Sequence, residues 1–516
     1  MSGTYLTPDA AFTELQDGAA LQAARTYAKY TIPSLVPRQV EVGTRESTRT
    51  CAPSIGATLV NNLVAKLVDL LFPVQTPFFS LSFSPEMLKR IQDDGLISQA
   101  EAEDRLVELA RAAKRRLDAN QGRARMMLAL SHLIIAGNCA IHRDQKANTL
   151  RVLGMGNFVV QRDNIGRVIQ AVVKEQNFYK ALPPDIKEAL AGTGKSYNDR
   201  SKVDMYQWVD LEWKPKQAGY RVSYWADSVQ YKPSEWYPEK TCPWFFPVCN
   251  LIPGEHYGRG YVEHYGPDFQ MLAELSAAQL SYALKMLEVR WFADPASGTR
   301  IDDLAKSVDG SVLSGAPNMV APVELPGGQK LAVVMDLVQQ ALLRLQKPFM
   351  YTGEVRAADR VTAYELQRDD REAGQLLGGV YSTLASEVQE PLAYLLVSEV
   401  DKAFEVHVIS GNIQASVVTG SPALGASTEV DSLLEATQQI AAAIPVAQLD
   451  ARVDSKRVVD VILRGKSIPP SLIMYTPEEQ RANEEAAAAQ QQAQAAQLEA
   501  STAVDQAAAL GQVLGQ

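Results

Sequence analysis

The run Ala191-Gly192-Thr193-Gly194-Lys195-Ser196 is the stretch that most invites a chemical reading. A glycine-rich turn followed by lysine and a hydroxyl can cradle phosphates with backbone N–H groups and one charged side chain. That motif needs glycine five residues before Gly194, where Ala189 stands. The preceding D-I-K-E-A-L has helical character, and the following Y-N-D-R-S-K does not open an apolar helix, so an exposed loop is expected. His256 and His264 stand beside Glu255 and Glu263, and both residue types ligate zinc. Their spacing fits no common zinc pattern, and Gly258 and Gly260 between them point to a tight backbone bend, so no metal is expected. Gly154-Met155-Gly156 has Val159 where a dinucleotide fingerprint needs its third glycine, and reads as a turn into a strand. Cys242 and Cys249 bracket P-W-F-F-P-V, a setting for buried thiols rather than a metal pair. No G-x-S-x-G elbow and no Cys/His nucleophile pair stands out, and Asp302-Asp303 and Asp369-Asp370 read as solvated surface. The expectation is a protein without catalytic residues and without a cofactor.

The elements that would position such groups are mostly helical. Leu21 to Tyr30 reads as a helix stopped by T-I-P-S-L-V-P, and Gly56 to Phe72 as an apolar helix closed by Pro73. Ser84-Pro85-Glu86 is a helix start. Ser98 with Glu101 forms a capping box for a charged helix reaching Leu117, and Met126 to Ala136 is a more buried helix. From Thr149 to about Tyr231 the period becomes that of strands. F-V-V-Q-R and R-V-I-Q-A-V-V-K turn at Asp163 to Gly166, and V-D-M-Y-Q-W-V-D-L-E-W meets Y-R-V-S-Y-W across K-P-K-Q-A-G.

Helix resumes over Phe269 to Glu288 and Leu331 to Lys347, separated by residues 291–330, where glycines and prolines leave only short apolar pieces. Pro348 to Arg360 reads as a loop. Thr362 and Glu365 form another capping box, after which Leu377, Val380, Leu384, Val388, Leu392 and Leu395 make one stripe. A helix from Thr362 to Asp401 would be roughly 60 Å long at 1.5 Å per residue. Pro391 should kink it and Gly378-Gly379 soften it. Two short strands, Glu405 to Ile409 and Ile413 to Val418, flank Gly411-Asn412, and helices follow near Glu429 to Ile444 and Ser455 to Leu463. From Glu484 the chain is Ala/Gln-rich, a frayed helix or disordered tail. The fold class is α+β, mainly helical.

The 516 residues suffice for several domains and a large core, and 46% hydrophobic with 21% charged residues is ordinary for a folded soluble protein. A net charge of −10 argues against holding nucleic acid by bulk attraction. The tail from Thr476 carries Glu478, Glu479, Glu484, Glu485, Glu499 and Asp505 against Arg481, so −5 of the −10 sits there and the body is only mildly acidic. M-S-G-T-Y-L-T-P-D-A-A has neither a basic start nor an apolar run, and no stretch is long enough for a membrane span. Four cysteines make no disulfide framework, which fits synthesis in a reducing cytoplasm.

Helix, strand-rich insert, helix, loop and long kinked helix together resemble the core of phage portal proteins. Local wording adds to this: Y-T-I-P-S-L-V-P at Tyr30 to Pro37, G-A-T-L-V-N-N-L-V-A-K-L at Gly56 to Leu67, L-F-P-V-Q-T-P-F-F at Leu71 to Phe79, and G-E-H-Y-G-R-G at Gly254 to Gly260. These segments look like the portal, or head-to-tail connector, of short-tailed, podovirus-type bacteriophages. The likeness covers most of the chain to about residue 420.

The resemblance implies a closed ring of usually about twelve identical subunits at one vertex of the capsid. Residues 1–265 would form a wing region, 266–290 and 331–347 two stem helices, and 291–330 a clip. Residues 348–360 would be a tunnel loop, 361–425 the long wing helix and strands, 426–475 a crown, and 476–516 the Ala/Gln-rich tail. Such a ring lets double-stranded DNA pass during packaging and ejection. It meets a terminase packaging motor, tail adaptors, and capsid and scaffolding proteins. It resides in the virion after synthesis in the host cytoplasm and touches no membrane. A channel must retain DNA without gripping it, and a near-neutral or acidic ring with few bases suits that task. Lys347, Arg356 and Arg360, in or flanking the loop, are the candidates for transient DNA contacts, with subunit-interface ion pairs as the other use of these charges. A tail adaptor or internal scaffold is the alternative role.

Overall fold

The computed structural model describes residues 7–38, 41–44, 54–74, 76–94, 99–215, 217–287, 290–293, 306, 320–323, 328–351 and 379–416. The chain divides into two units, Met1–Arg90 with Leu109–Ala423, and Ile91–Glu108 with Leu424–Gln516. The described part of the second unit is helical throughout.

The helices are α1 (Pro8–Glu14), α2 (Gly18–Tyr30), α3 (Ile55–Leu71), α4 (Pro85–Asp94), α5 (Gln99–Asp118), α6 (Gly122–Ala136), α7 (Pro184–Ala191), α8 (Tyr261–His264), α9 (Gly266–Leu287), α10 (Gly328–Gln346), α11 (Glu390–Val400) and α12 (Lys402–Ile409). The strands are β1 (Ser80–Phe83), β2 (Ala140–Asp144), β3 (Thr149–Leu153), β4 (Phe158–Arg162), β5 (Val168–Phe178), β6 (Lys202–Lys214), β7 (Gln217–Ala226), β8 (Val229–Pro238), β9 (Trp244–Phe245), β10 (Arg290–Ala293), β11 (Val320–Val323) and β12 (Ile413–Ser416). The fold is thus mixed helix and strand.

The largest core of the first unit forms around α3 and α6. Leu59, Val60, Leu63, Val64, Leu67, Val68 and Leu71 are all buried, and each such side chain contributes on the order of 1.5–3 kcal/mol. Helix α6 is buried on nearly every side and ends at Gly137, whose φ of +74° is reached readily only by glycine. The last carbonyls of α3 are capped from far along the chain: the Tyr381 hydroxyl donates to Leu70 O and the Gln389 amide to Leu71 O.

Strands β4 to β8 form a five-stranded antiparallel meander. Alternation along β4 and β5 sends Phe158, Val160, Ala171 and Val173 into the main core, while Val159 and Val172 meet Ala11 and Phe12 of α1 on the other face. The β4–β5 hairpin turns at Asp163 to Gly166 as expected, with Gly166 at φ +88°. In the β6–β7 hairpin the strands run further than expected, pairing through Lys214 and Gln217, so that Lys214, Gln217, Ala218 and Gly219 of K-P-K-Q-A-G are strand. Strand β8 extends the sheet beyond Tyr231 with a bulged register against β7, which breaks the alternation that a sequence pattern relies on.

One expectation is overturned after Lys402. Residues 402–409 are helical, and β12 pairs antiparallel with β1, some three hundred residues earlier, instead of with its neighbour. Gly411, at φ +77°, is the helix-ending residue: its N–H donates to Val408 O (3.2 Å) and the Asn412 N–H to His407 O (3.0 Å). That is a Schellman cap, and it uses the same glycine signal as a hairpin turn.

The helix entering α11 is described from residue 379, and Thr362 and Glu365 lie outside the described residues. Gly379 sits within helix. Ahead of Pro391 the helix widens into a π turn, Ala385–Gln389, in which the Glu390 N–H donates to Ala385 O. Proline offers no N–H and crowds the carbonyl four residues back, and a wider turn accommodates both effects. The disturbance expected at Pro391 therefore takes the form of a π turn preceding it. The segments near 429–444 and 455–463 and the tail lie outside the described residues.

Candidate functional site

Helices α9 and α10 pack against each other. Between them β10 and β11 pair antiparallel, Arg290 opposite Val323 and Ala293 opposite Val320. The start of α9 meets the end of α10, since Arg344 lies 3.5 Å from Asp268, so the two helices run antiparallel as an arm with a strand ladder in its connection. Ala341, Leu345, Phe269 and Leu272 are buried at the root of the arm. Leu280 (61% exposed), Leu284 (56%) and Val333 (61%) further along, and Leu343 (60%) on the outer side of the root, face solvent. Large aliphatic residues on one slender arm are poorly explained within a single subunit.

At the end of α10 the chain turns sharply. Met350 N–H donates to Lys347 O (3.1 Å) and Tyr351 N–H to Gln346 O (2.9 Å). This is a Schellman arrangement with Met350 at the left-handed position, φ +52°. A non-glycine residue there costs roughly 1–2 kcal/mol. Three side-chain hydrogen bonds from α3 converge on the same peptide groups. Asn62 Nδ2 donates to Phe349 O and to Met350 O, both at 2.9 Å, and Lys66 Nζ donates to Met350 O at 2.7 Å. A cation at the end of a helix also meets the negative end of its macrodipole. Phe349, fully buried, receives Tyr261, Tyr265 and Phe269 edge-on with ring centroids 5.3–5.6 Å apart, and the Tyr261 hydroxyl donates to Pro348 O.

Of the three candidate DNA contacts, Lys347 is exposed at the end of α10, next to this turn. Arg356 and Arg360 lie outside the described residues. The other chemical candidates serve the fold. Lys195 comes just after the turn Gly192–Gly194 that ends a helix, 3.9 Å from Asp227, which is not the strand–loop–helix setting of a phosphate loop. Glu255 and Glu263 both pair with Arg259, the His256 ring accepts from the Arg162 N–H, and His264 meets Asn250. The chain does bend beside these glycines, at His256 and Tyr257, while Gly258 and Gly260 themselves have no positive φ and each lets two backbones touch. Cys242 and Cys249 are buried thiols, and burial pushes both up to about 12, far from the thiolate a nucleophile needs.

Asn62 and Lys66 escaped the sequence reading. Their signal is weak: two polar residues four apart, within N-N-L-V-A-K, on a helix that also carries Thr58, Asn61 and Asp69.

The model of the bacteriophage head to tail connecting protein family matches residues 11–474, nearly the whole chain. The chain belongs to this family. Among its relatives, the portal protein of Pseudomonas phage phiKMV is 34% identical over 92% of this chain and 92% of that protein. The portal protein of Escherichia phage T7 is 28% identical over 89% of this chain and 86% of that one. A solved structure, the neck of a native GTA particle computed with C12 symmetry, is similar at 14% identity and a TM-score of 0.33, over 78% of this chain and 92% of that one. At that level the likeness carries no ring geometry to this connector. Its relatives are structural portal proteins, and no catalytic activity is indicated for it.

Proposed function

We propose that this connector forms the portal of its virion, a closed ring of about twelve copies at one capsid vertex. Double-stranded DNA passes through it during packaging and leaves through it at ejection. The observation that carries this reading is the match of the head to tail connecting family along 11–474, joined to a helix–ladder–helix arm that leaves large aliphatic side chains in solvent. In a ring each subunit offers two different faces to its neighbours, so Leu280, Leu284, Val333 and Leu343 would be covered by the adjoining arms.

In this reading residues 1–265 and the helix of 379–400 form the wing. Helices α9 and α10 are the stem, residues 291–330 the clip, 348–360 the tunnel loop and 426–475 the crown. A terminase motor and later the tail adaptors dock at the clip. Capsid and scaffolding proteins surround the wing, and ATP hydrolysis belongs to the motor. The chain is made in the host cytoplasm before incorporation. Negative-stain images of the purified chain should show rings with a central hole. Monomers or dimers at every protein concentration would overturn the portal reading in favour of a tail adaptor or internal scaffold.

The second expectation concerns Lys347, Arg356 and Arg360. Changing all three to alanine should leave ring assembly intact and alter packaged length or DNA retention. DNA binding by the isolated ring should lose up to about 0.9 of salt slope per phosphate contact removed. Packaging, retention and salt slope all unchanged would remove these residues from the channel.

A further inference from the structure

We propose that Asn62 and Lys66 are positioning residues that hold Met350 in its left-handed conformation and so set the direction in which the chain leaves the stem for the channel. This rests on the portal reading above.

Three observations meet at one peptide group. First, Met350 occupies a backbone region where glycine is at ease and methionine is not. A strained residue persists only where its surroundings hold it, and such residues collect at functional positions. Second, the Met350 carbonyl accepts from both Asn62 and Lys66, while Asn62 also reaches the Phe349 carbonyl. Third, Lys66 makes no ion pair with a carboxylate among the described residues, so its charge is directed at the end of α10.

The rest of the junction is fixed more firmly. Phe349 is locked among three aromatic rings and Pro348 is tied to Tyr261. Tyr351 keeps its bond to Gln346 only while Met350 stays left-handed. Met350 is therefore the one torsion at this junction opposed by its own side chain and kept by groups on another helix. Releasing those groups lets Met350 return to ordinary backbone angles, and the direction of the chain at Tyr351 then changes.

The test uses the full-length chain carrying Lys66→Met, Lys66→Arg, Met350→Gly, or Lys66→Met with Met350→Gly. Each variant is scored for ring yield by electron microscopy and for DNA-filled heads after packaging. Absence of rings from the unaltered chain would overturn the portal reading itself, separately from this proposal. With rings present, Lys66→Met should cause loss of filled heads, and Lys66→Arg should retain them because a guanidinium donates to the same carbonyl. Adding Met350→Gly to Lys66→Met should restore filling, since glycine holds the left-handed angle unaided. A merely structural lysine would lose filling only in step with ring yield, and the glycine would not bring it back. If Lys66→Met lowers ring yield, the double variant must restore that yield. Filling by Lys66→Met rings equal to the unaltered chain, or a double variant no better than Lys66→Met, overturns the proposal.

Discussion

Glu399→Ala should destabilise the protein by about 3–5 kcal/mol, among the largest effects of any single substitution. The Glu399 side chain is fully buried, and Arg143 beside it is 1% exposed. Arg143 grips the carboxylate with two donors, Nε to Oε1 at 2.9 Å and Nη2 to Oε2 at 2.8 Å, and Arg116 adds Nε to Oε2 at 2.7 Å. The Asn148 side chain takes a further Arg143 proton. This cluster ties β2 and α5 to the end of α11 across more than 250 residues of chain. Removing the carboxylate leaves a guanidinium buried without a counter-charge, and its lost hydration is not recovered elsewhere. A paired change to apolar residues, Arg143→Met with Glu399→Leu, removes both charges and should cost much less. Denaturant unfolding compared across the single and double variants checks this. A single variant within about 1 kcal/mol of the parent would show that the cluster is not what holds these elements together.

Gly258→Ala or Gly260→Ala should be worse, at or above about 4–5 kcal/mol, and should appear as insoluble or unfolded chain. A Cβ on Gly258 would lie 2.1 Å from Cys249 O, and one on Gly260 2.2 Å from Ile135 O. Both obstacles are backbone atoms, so no side-chain rotation relieves them. Nor can the segment move aside freely. The Asn138 amide donates to Ala136 O and Gly258 O and its oxygen accepts the Gly258 N–H, which locks the 258–260 backbone to the end of α6. Gly192→Ala is the control, because its nearest obstacle is 3.5 Å away, an ordinary contact. Thermal unfolding and soluble yield separate the outcomes, and a soluble Gly260→Ala chain melting with the parent would refute the packing argument.

How much of this was legible before the structure depends on the range of each interaction. Helices α3, α6, α9 and α10 carry their own evidence, an apolar stripe or an all-apolar face, with a proline or glycine just past the end in α3, α6 and α10. Their observed ends lie within a few residues of those expected. The hairpin at Asp163 to Gly166 is equally local. Strands β10 and β11 were invisible because four-residue pieces pair only with each other, across a long connection. Residues 405–409 alternate like a strand, and Gly411 reads the same whether it closes a hairpin or caps a helix. Only the pairing of β12 with β1 decides between them. The junction site suffered most. Lys347 was legible as a base beside a loop, whereas Asn62 and Lys66 acquire meaning from carbonyls 284–288 residues away. Gly258 and Gly260 were legible as marking a bend, but their close approach to other backbones was not, since it leaves no sequence trace of its own.

The distant capping of α3 also has a consequence for biosynthesis. Its final carbonyl waits for the Gln389 amide, 318 residues later in the chain. At about 5–20 residues per second, a ribosome takes roughly 15–60 s to deliver that partner. Through that interval a helix with Leu, Val and Leu at almost every inward position has no complete shelter, and concentrated nascent chains can meet through it before each has closed on itself. Lower growth temperature or slower induction thins that crowd of half-made chains. Soluble yield should accordingly respond to expression rate more steeply than the stability of the finished protein alone would dictate.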